Sequence, residues 1–492
     1  MKKAILFLCL ATFATADCVA ADTTHSIDEI FQHLDDNGLF QGAVLVADDG
    51  EVVYEHASSY ANHEWEIPNT VDTRFRIGSI SKQFTAMLVL MLVEEGKLTL
   101  SDPVGKHLPE LERHWIDDVT IHHLLSQTSG IPNYTLLDGY MDSISKNRYS
   151  RDEFLELLIA DALIDSLHFE PGSNFDYSNT NYFFAGIIVE RIAGKPFEAV
   201  LQERILDPLG MKDTGAFDDL KLIPRRAYGY EKSPDDSYEP TKHSSVSPKS
   251  VPSGGLYSTA RDLFKWHRAL QENRLLGEDL MEPFSTPHHW FSDSDGYAYG
   301  NYYEEYALDD ATSLAVLEHG GSAFGTSTMI YRLPDEDELV VLLLNGGIGR
   351  ETFLTTIAFA IIDVLHGKET PLPKCPLLGV IGYTAITKDG AAVLEHYRFL
   401  KKHRSQAYEF NPGELSMLGH ILIQILGDRA TAEDIFLMNA DEYPGEPSVY
   451  IDLGRHYLQD GEKAKALEYL RKAVPLSGDD DELDQLLEEA ES

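Results

Sequence analysis

Phe75 to Leu98 reads FRIGSISKQFTAMLVLMLVEEGKL, a polar approach that gives way to a strongly apolar helical pattern just after Ser79 and Lys82. Positions i and i+3 share a helix face, so this spacing lays a lysine amine against a serine hydroxyl. A serine hydroxyl is a poor nucleophile at neutral pH, and a lysine whose charge is disfavoured by burial can be the base it needs. A helix N-terminus beside Ser79 adds free backbone N–H groups suited to an oxyanion. The same four-residue pattern recurs at Ser143-Ile144-Ser145-Lys146. That copy is followed by Asn147-Arg148-Tyr149 and then by a Ser150/Glu153 capping box that starts a separate helix, so it reads as a polar loop. Ser79 instead opens a helix whose Phe84, Met87, Leu88, Met91 and Leu92 can bury it in a core.

Working outward, the N-terminal side carries Gly42 to Ala47 and Glu51 to Tyr54 around Asp48-Asp49-Gly50, a β-hairpin with a tight turn. Residues 101 to 252 change to helices and polar loops, among them Val119 to Leu125, the turn-rich Ser126 to Pro132, Asp152 to Leu163 and Asn181 to Ile192. Ser253 to Thr259 is a permissive turn whose Thr259 caps the helix carrying Leu263 and Trp266. Strands return at Leu314 to Glu318, Thr326 to Leu333 and Glu338 to Leu344, and a helix over Glu351 to Leu365 follows. This order predicts an α+β or α/β unit: one antiparallel sheet built from both ends of the segment, flanked by helices, with a helical subdomain inserted at about 101–252. Residues 368–374 read as a linker. Beyond it Leu418-Gly419, Gly427, Ala432 and Phe436 are echoed by Leu453-Gly454, Gly461, Ala466 and Leu470, a period near the ~34 of tetratricopeptide repeats. A small all-helical domain over 375–492 is expected, able to offer a protein partner a surface.

Composition narrows the setting. The chain has 492 residues and a formal net charge of −41, which argues against nucleic acid or an anionic membrane as partner. Lys2 and Lys3 precede the apolar run Ala4 to Phe13, and small residues follow, so residues 1–21 read as a cleaved signal peptide of a secreted or periplasmic protein without a membrane span. Cys9 and Cys18 fall in or beside that segment, leaving Cys375 unpaired and no disulfide framework. The adjacent pairs His122-His123 and His288-His289 lack the spacing of metal ligands, so neither a metal nor another cofactor is expected.

Two further patterns carry chemistry. Tyr177-Ser178-Asn179 lies between the Pro171-Gly172 turn and a helix; a tyrosine there can shuttle a proton to a leaving group while an asparagine amide positions substrate. A decoy of the same form stands at Tyr60-Ala61-Asn62. His319-Gly320-Gly321-Ser322 ends a strand; its glycines allow close approach to a ligand, and the Ser322 N–H can face that of Ser79 across an oxyanion.

In this order Ser-x-x-Lys, Tyr-x-Asn and His-x-Gly resemble the serine β-lactamase and penicillin-binding DD-peptidase superfamily, in the branch of class C β-lactamases, D-aminopeptidases and related esterases. Gln127-Thr128-Ser129-Gly130-Ile131-Pro132 and the phrase from Ser253 to Leu263 are similar to that branch, and the likeness spans residues 26–367. The resemblance implies attack by Ser79, general-base and general-acid duties shared by Lys82 and Tyr177, and an acyl side chain held by Asn179. It also implies an oxyanion held by the N–H groups of Ser79 and Ser322, and a strand edge lined by His319 and Gly321. Which of Lys82 and Tyr177 takes the first proton stays open. Lysine usually stands where this chain has His319; losing that cation shifts the expected substrate from a β-lactam to a peptide, amide or ester. Gln127 departs from a histidine in many relatives. The alternatives are a β-lactamase and a catalytically idle binding protein acting through its helical repeats.

Overall fold

The computed structural model describes residues 23–24, 26–232, 237–241, 250–323, 325–346, 351–387, 390–424, 426–478 and 480–492. The signal segment 1–21 and most of the loop 232–250 lie outside them. Two compact units are present. The first takes the described residues of Met1–Glu231, Tyr238–Gly347 and Leu354–Leu372; the second takes those of Lys232–Ser237, Ile348–Phe353 and Pro373–Ser492.

The first unit is built on an antiparallel sheet. In chain order its strands are β1 (Gly42–Asp48), β2 (Glu51–Ser58), β3 (His289–Trp290), β4 (Asp295–Tyr297), β5 (Tyr302–Ala307), β6 (Ser313–Ala323), β7 (Thr326–Leu333) and β8 (Glu338–Leu344). They lie in the order β3-β4-β5-β6-β7-β8-β1-β2. The two ends of the segment therefore meet as expected, with Val44 of β1 opposite Leu342 of β8. Both central strands are apolar in nearly every position because both sheet faces are covered. The β1–β2 turn places Asp49 and Gly50 at positive φ, the geometry that matches the twist of a hairpin.

Helix α1 (Ser81–Glu94) is more deeply placed than an amphipathic pattern requires: eleven of its 14 residues are buried. Several of its polar side chains are paired. Ser81 Oγ donates to Gly78 O (2.6 Å), Thr85 Oγ1 to Pro252 O (2.7 Å), and Gln83 Oε1 accepts from Trp266 Nε1 (2.9 Å). Helix α2 (Asn179–Ala193) is likewise largely buried. Thr259 caps α3 (Ala260–Gln271) by accepting from Asp262 N, and Trp266 of α3 stacks on Phe84 of α1 at 4.3 Å. In α4 (Glu351–Leu365), Phe359 stacks on Tyr306 of β5.

Two expectations are corrected. The Ser143 copy is not a loop: Tyr140–Ile144 winds as one wide helical turn in which Ser143 Oγ donates to Gly139 O. The strand expected over Leu314 to Glu318 is longer: β6 runs on through Ala323, because Gly320, Gly321 and Ser322 keep pairing with β7, and His319 to Ser322 form its final stretch.

In the second unit, α5 (Leu377–Thr387), α6 (Gly390–His403), α7 (Pro412–Gln424), α8 (Arg429–Glu442), α9 (Pro447–Gln459), α10 (Lys463–Ala473) and α11 (Asp481–Glu491) follow one another. The echoed residues occupy equivalent contacts. A Cβ on Gly419 of α7 would stand 2.3 Å from the Phe436 ring of α8, and one on Gly454 of α9 2.3 Å from Leu470 of α10. Ala432 and Ala466 are both fully buried. Cys375 is a buried free thiol whose pKa burial raises far above its ordinary value, so it is inert as a nucleophile.

Candidate active site

Ser79 lies in the turn before α1, where its carbonyl accepts from Lys82 N at 2.9 Å, so the two side chains share a face. Lys82 is completely buried. Its Nζ lies 3.0 Å from Ser79 Oγ, 2.8 Å from Asn179 Oδ1 and 2.5 Å from the Ser253 carbonyl oxygen. Burial, with no carboxylate partner among the described residues, pushes the Lys82 amine well below its ordinary pKa. A neutral amine has two N–H bonds and one lone pair. The two carbonyl oxygens can only accept, so they take the N–H bonds and leave the lone pair toward Ser79 Oγ–H.

Tyr177 and Asn179 come from the start of α2. The Tyr177 ring centre is 4.7 Å from Lys82 Nζ. Asn179 reaches the same nitrogen, while its Nδ2 leans toward Asn133 Oδ1 at 3.4 Å. The residue that holds this corner in place is Gln127, at φ 60 and fully buried. Its Oε1 accepts from Ser178 N (3.1 Å) and from Asn181 Nδ2 (2.7 Å), and its carbonyl accepts from Asp176 N (3.1 Å). Sequence reasoning marked Gln127 as a departure and gave it no role; its only sequence signal was a position inside the turn-rich phrase. Tyr134 shares a 2.9 Å hydrogen bond with Ser253 Oγ, beside the carbonyl that receives Lys82. Burial lifts its phenol to about 12, so it stays protonated.

The third element is the edge of β6. The short strand Phe75–Gly78 crosses it so closely that a Cβ on Gly321 would lie 2.0 Å from Ile77 O, and one on Gly78 2.7 Å from Ser322 N. Thr328 Oγ1 clamps the crossing, lying 3.2 Å from Ile77 O and 3.1 Å from Gly321 O. The Ser322 N–H is thereby brought beside the residue that precedes Ser79. His319 is buried and donates from Nδ1 to Gly320 O at 2.6 Å, while Nε2 is buried with no hydrogen-bond partner among the described residues. Burial and the nearby Lys82 drive the imidazole down to about 3, so it is neutral at physiological pH.

The structure thus brings Ser79, Lys82, Tyr177, Asn179, His319, Gly321 and Ser322 to one place, and leaves both decoys out. Asn62 of the Tyr60 decoy is engaged by Trp65 N instead. A separate cavity of about 850 Å³ is lined by Trp65, Ile67, Leu222, Arg225 and Tyr228 among others, and holds none of these residues.

Comparison with known proteins places the fold in a family. The family model described as Beta-lactamase matches residues 27–359. The chain is 27% identical over 364 residues to penicillin-binding protein 4* of Bacillus subtilis, covering 71% of this chain and 78% of that one. It is 31% identical to esterase EstB of Burkholderia gladioli over 340 residues, covering 62% of this chain and 84% of that one. The solved D-amino acid amidase of Ochrobactrum anthropi SV3 superposes with a TM-score of 0.59 at 25% identity, over 70% of this chain and 98% of that one. With a match running through the whole sheet and every residue of the Ser79 site, the chain belongs to the beta-lactamase family and is a serine hydrolase.

Proposed function

We propose that this hydrolase cleaves amide or ester bonds through an acyl-enzyme on Ser79. The observation that carries the reading is the buried Lys82 amine, 3.0 Å from Ser79 Oγ and saturated by two carbonyl oxygens on its other side. In the acylation step Ser79 Oγ bonds to the substrate carbonyl carbon and its proton passes to Lys82. The backbone N–H groups of Ser79 and Ser322 hold the oxyanion. As the tetrahedral species collapses, the bond to the leaving heteroatom breaks, and the proton reaches that atom from Lys82 through Tyr177. Water then adds to the acyl group, Ser79 recovers its proton, and a carboxylic acid departs. Asn179 positions the acyl side chain.

An esterase and an amidase among the relatives support the bond type. The neutral His319 supports amide or ester cleavage over β-lactam destruction, since no permanent cation stands there for a β-lactam carboxylate. We read residues 26–367 as the hydrolase domain and 375–492 as appended tetratricopeptide-like repeats open to a protein partner. The chain is read as exported on residues 1–21; no helix among the described residues is long and apolar enough to cross a membrane. A fluorophosphonate probe is expected to label the wild-type protein and not Ser79→Ala, with hydrolysis of aryl esters lost in parallel. Equal labelling of both proteins would overturn the assignment.

A further inference from the structure

The leaving-group side of the Ser79 site has an unusual lining. Tyr177, which hands the proton to the leaving atom, lies parallel to Tyr302 with ring centres 6.5 Å apart, and Tyr302 is 5.6 Å from His319. Phe175, two residues before Tyr177, packs edge-on against Phe291 at 4.7 Å and beside Tyr297 at 5.3 Å. Phe291 is 46% exposed, so this aromatic wall continues from the reacting atoms to solvent. The segment from Thr286 to Ala307 that supplies most of it contains seven Phe, Trp or Tyr among 22 residues, four acids (Asp293, Asp295, Glu304, Glu305), and neither lysine nor arginine.

His319 fixes the polarity of this side. Its Nδ1–H is committed to Gly320 O, so the imidazole presents Nε2 as a buried lone pair with no partner among the described residues. A lone pair accepts N–H or O–H and repels a carboxylate.

We propose that Phe175, Phe291, Tyr302 and His319 Nε2 form a neutral aromatic subsite that selects esters or amides whose leaving group is an uncharged aromatic carrying a hydrogen-bond donor, and rejects one carrying a free carboxylate. This deepens the acyl-enzyme reading and rests on it. The leaving group departs as Ar–OH or Ar–NH2, with the proton supplied as above and no further reactant.

The test uses the acetate esters of 3-carbamoylphenol and 3-carboxyphenol, which differ mainly in that one substituent and give the same acetyl-enzyme. Full-length wild type is expected to show kcat/KM higher for the carbamoyl ester by about tenfold or more, the scale of one buried polar mismatch. His319→Lys should bring the ratio to unity or invert it. Phe291→Ala, a change at an exposed position, should lower kcat/KM for both aryl esters by about tenfold through KM, as a lost apolar contact does. In that variant the breakdown rate of the shared acetyl-enzyme should be unchanged. A wild-type ratio near one, or a ratio unmoved in His319→Lys together with unaltered aryl KM in Phe291→Ala, overturns the subsite. Mass spectrometry separates the two levels: an acetyl adduct on Ser79 with a flat ratio sinks the subsite alone, whereas no adduct on Ser79 sinks the acyl-enzyme reading with it.

Discussion

The groups within hydrogen-bonding reach of Lys82 Nζ are two carbonyl oxygens and one hydroxyl, a set that stabilises an amine and offers no counter-charge to an ammonium. Its folded pKa is depressed by burial, which favours the reactive neutral form more than in a free lysine, and that form is lost as pH falls through the lowered value. kcat/KM measured against pH should therefore show an acidic limb far below the ordinary lysine range. Lys82→Arg, a permanent cation, should lose about 10³-fold at neutral pH and abolish the limb, the scale of losing a general base. Gln127 gives a second test. Gln127→Ala leaves Ser178 N–H and the Asn181 amide without their buried acceptor, a loss of about 1–3 kcal/mol. Urea unfolding should report that loss, and kcat should fall because Tyr177 and Asn179 flank Ser178. Ser79 and Lys82 were legible in sequence because an i, i+3 relation needs only a helical turn. Gln127 and the tautomer of His319 were not, since each depends on the direction of one backbone group, Ser178 N–H or Gly320 C=O, that no residue pattern encodes.

Among the elements, the crossing of Phe75–Gly78 over β6 sets the oxyanion geometry. Gly321→Ala puts a methyl 2.0 Å from Ile77 O and 2.5 Å from Thr328 Oγ1, and backbone must yield. The strand that leads into Ser79 should move off Ser322, and kcat is expected to fall by about 10²-fold or more, the cost of losing one oxyanion donor. Thermal unfolding recorded alongside separates displaced geometry from a protein that no longer folds. Apolar or β-branched runs bounded by turn residues made β1, β2, β7 and β8 readable from the letters. The glycines after Glu318 made the strand look shorter than it is, and only the pairing of Gly320 to Ser322 with β7 reveals that β6 includes them. The helical echo at Gly419 and Gly454 was legible because close helix approach demands a missing side chain at the same step of each repeat. The Ser143 copy misled because capping and helical signals around it are weak.

For the whole molecule, several buried titratable groups make stability depend on pH in a calculable direction. Burial holds His122 down to about 4 and His319 to about 3, and His267, buried beside Arg332, is lowered as well. The unfolded chain takes up protons on these groups below about pH 6.5 while the folded chain does not. Their contribution is thus complete above that pH and is lost as pH falls. Glu338, raised to about 8 by burial and by Asp48 and Glu336, opposes them, because it is protonated only in the folded state between about 4.5 and 8. Among these four groups the three imidazoles outweigh the one carboxyl, so the balance near pH 5 is a net uptake of protons on unfolding. Urea midpoints should drop steadily from pH 7 to pH 5, and a flat profile would contradict the burial of these imidazoles. The sheet has a consequence in time as well as in energy. β1 is synthesised first yet its neighbour β8 comes some 300 residues later, so an emerging chain carries an apolar strand with one bare edge until Leu342 can reach Val44. Such distant pairing makes for slow folding and an aggregation-prone nascent state, so the yield of this protein should depend on chaperones that shield that edge during synthesis.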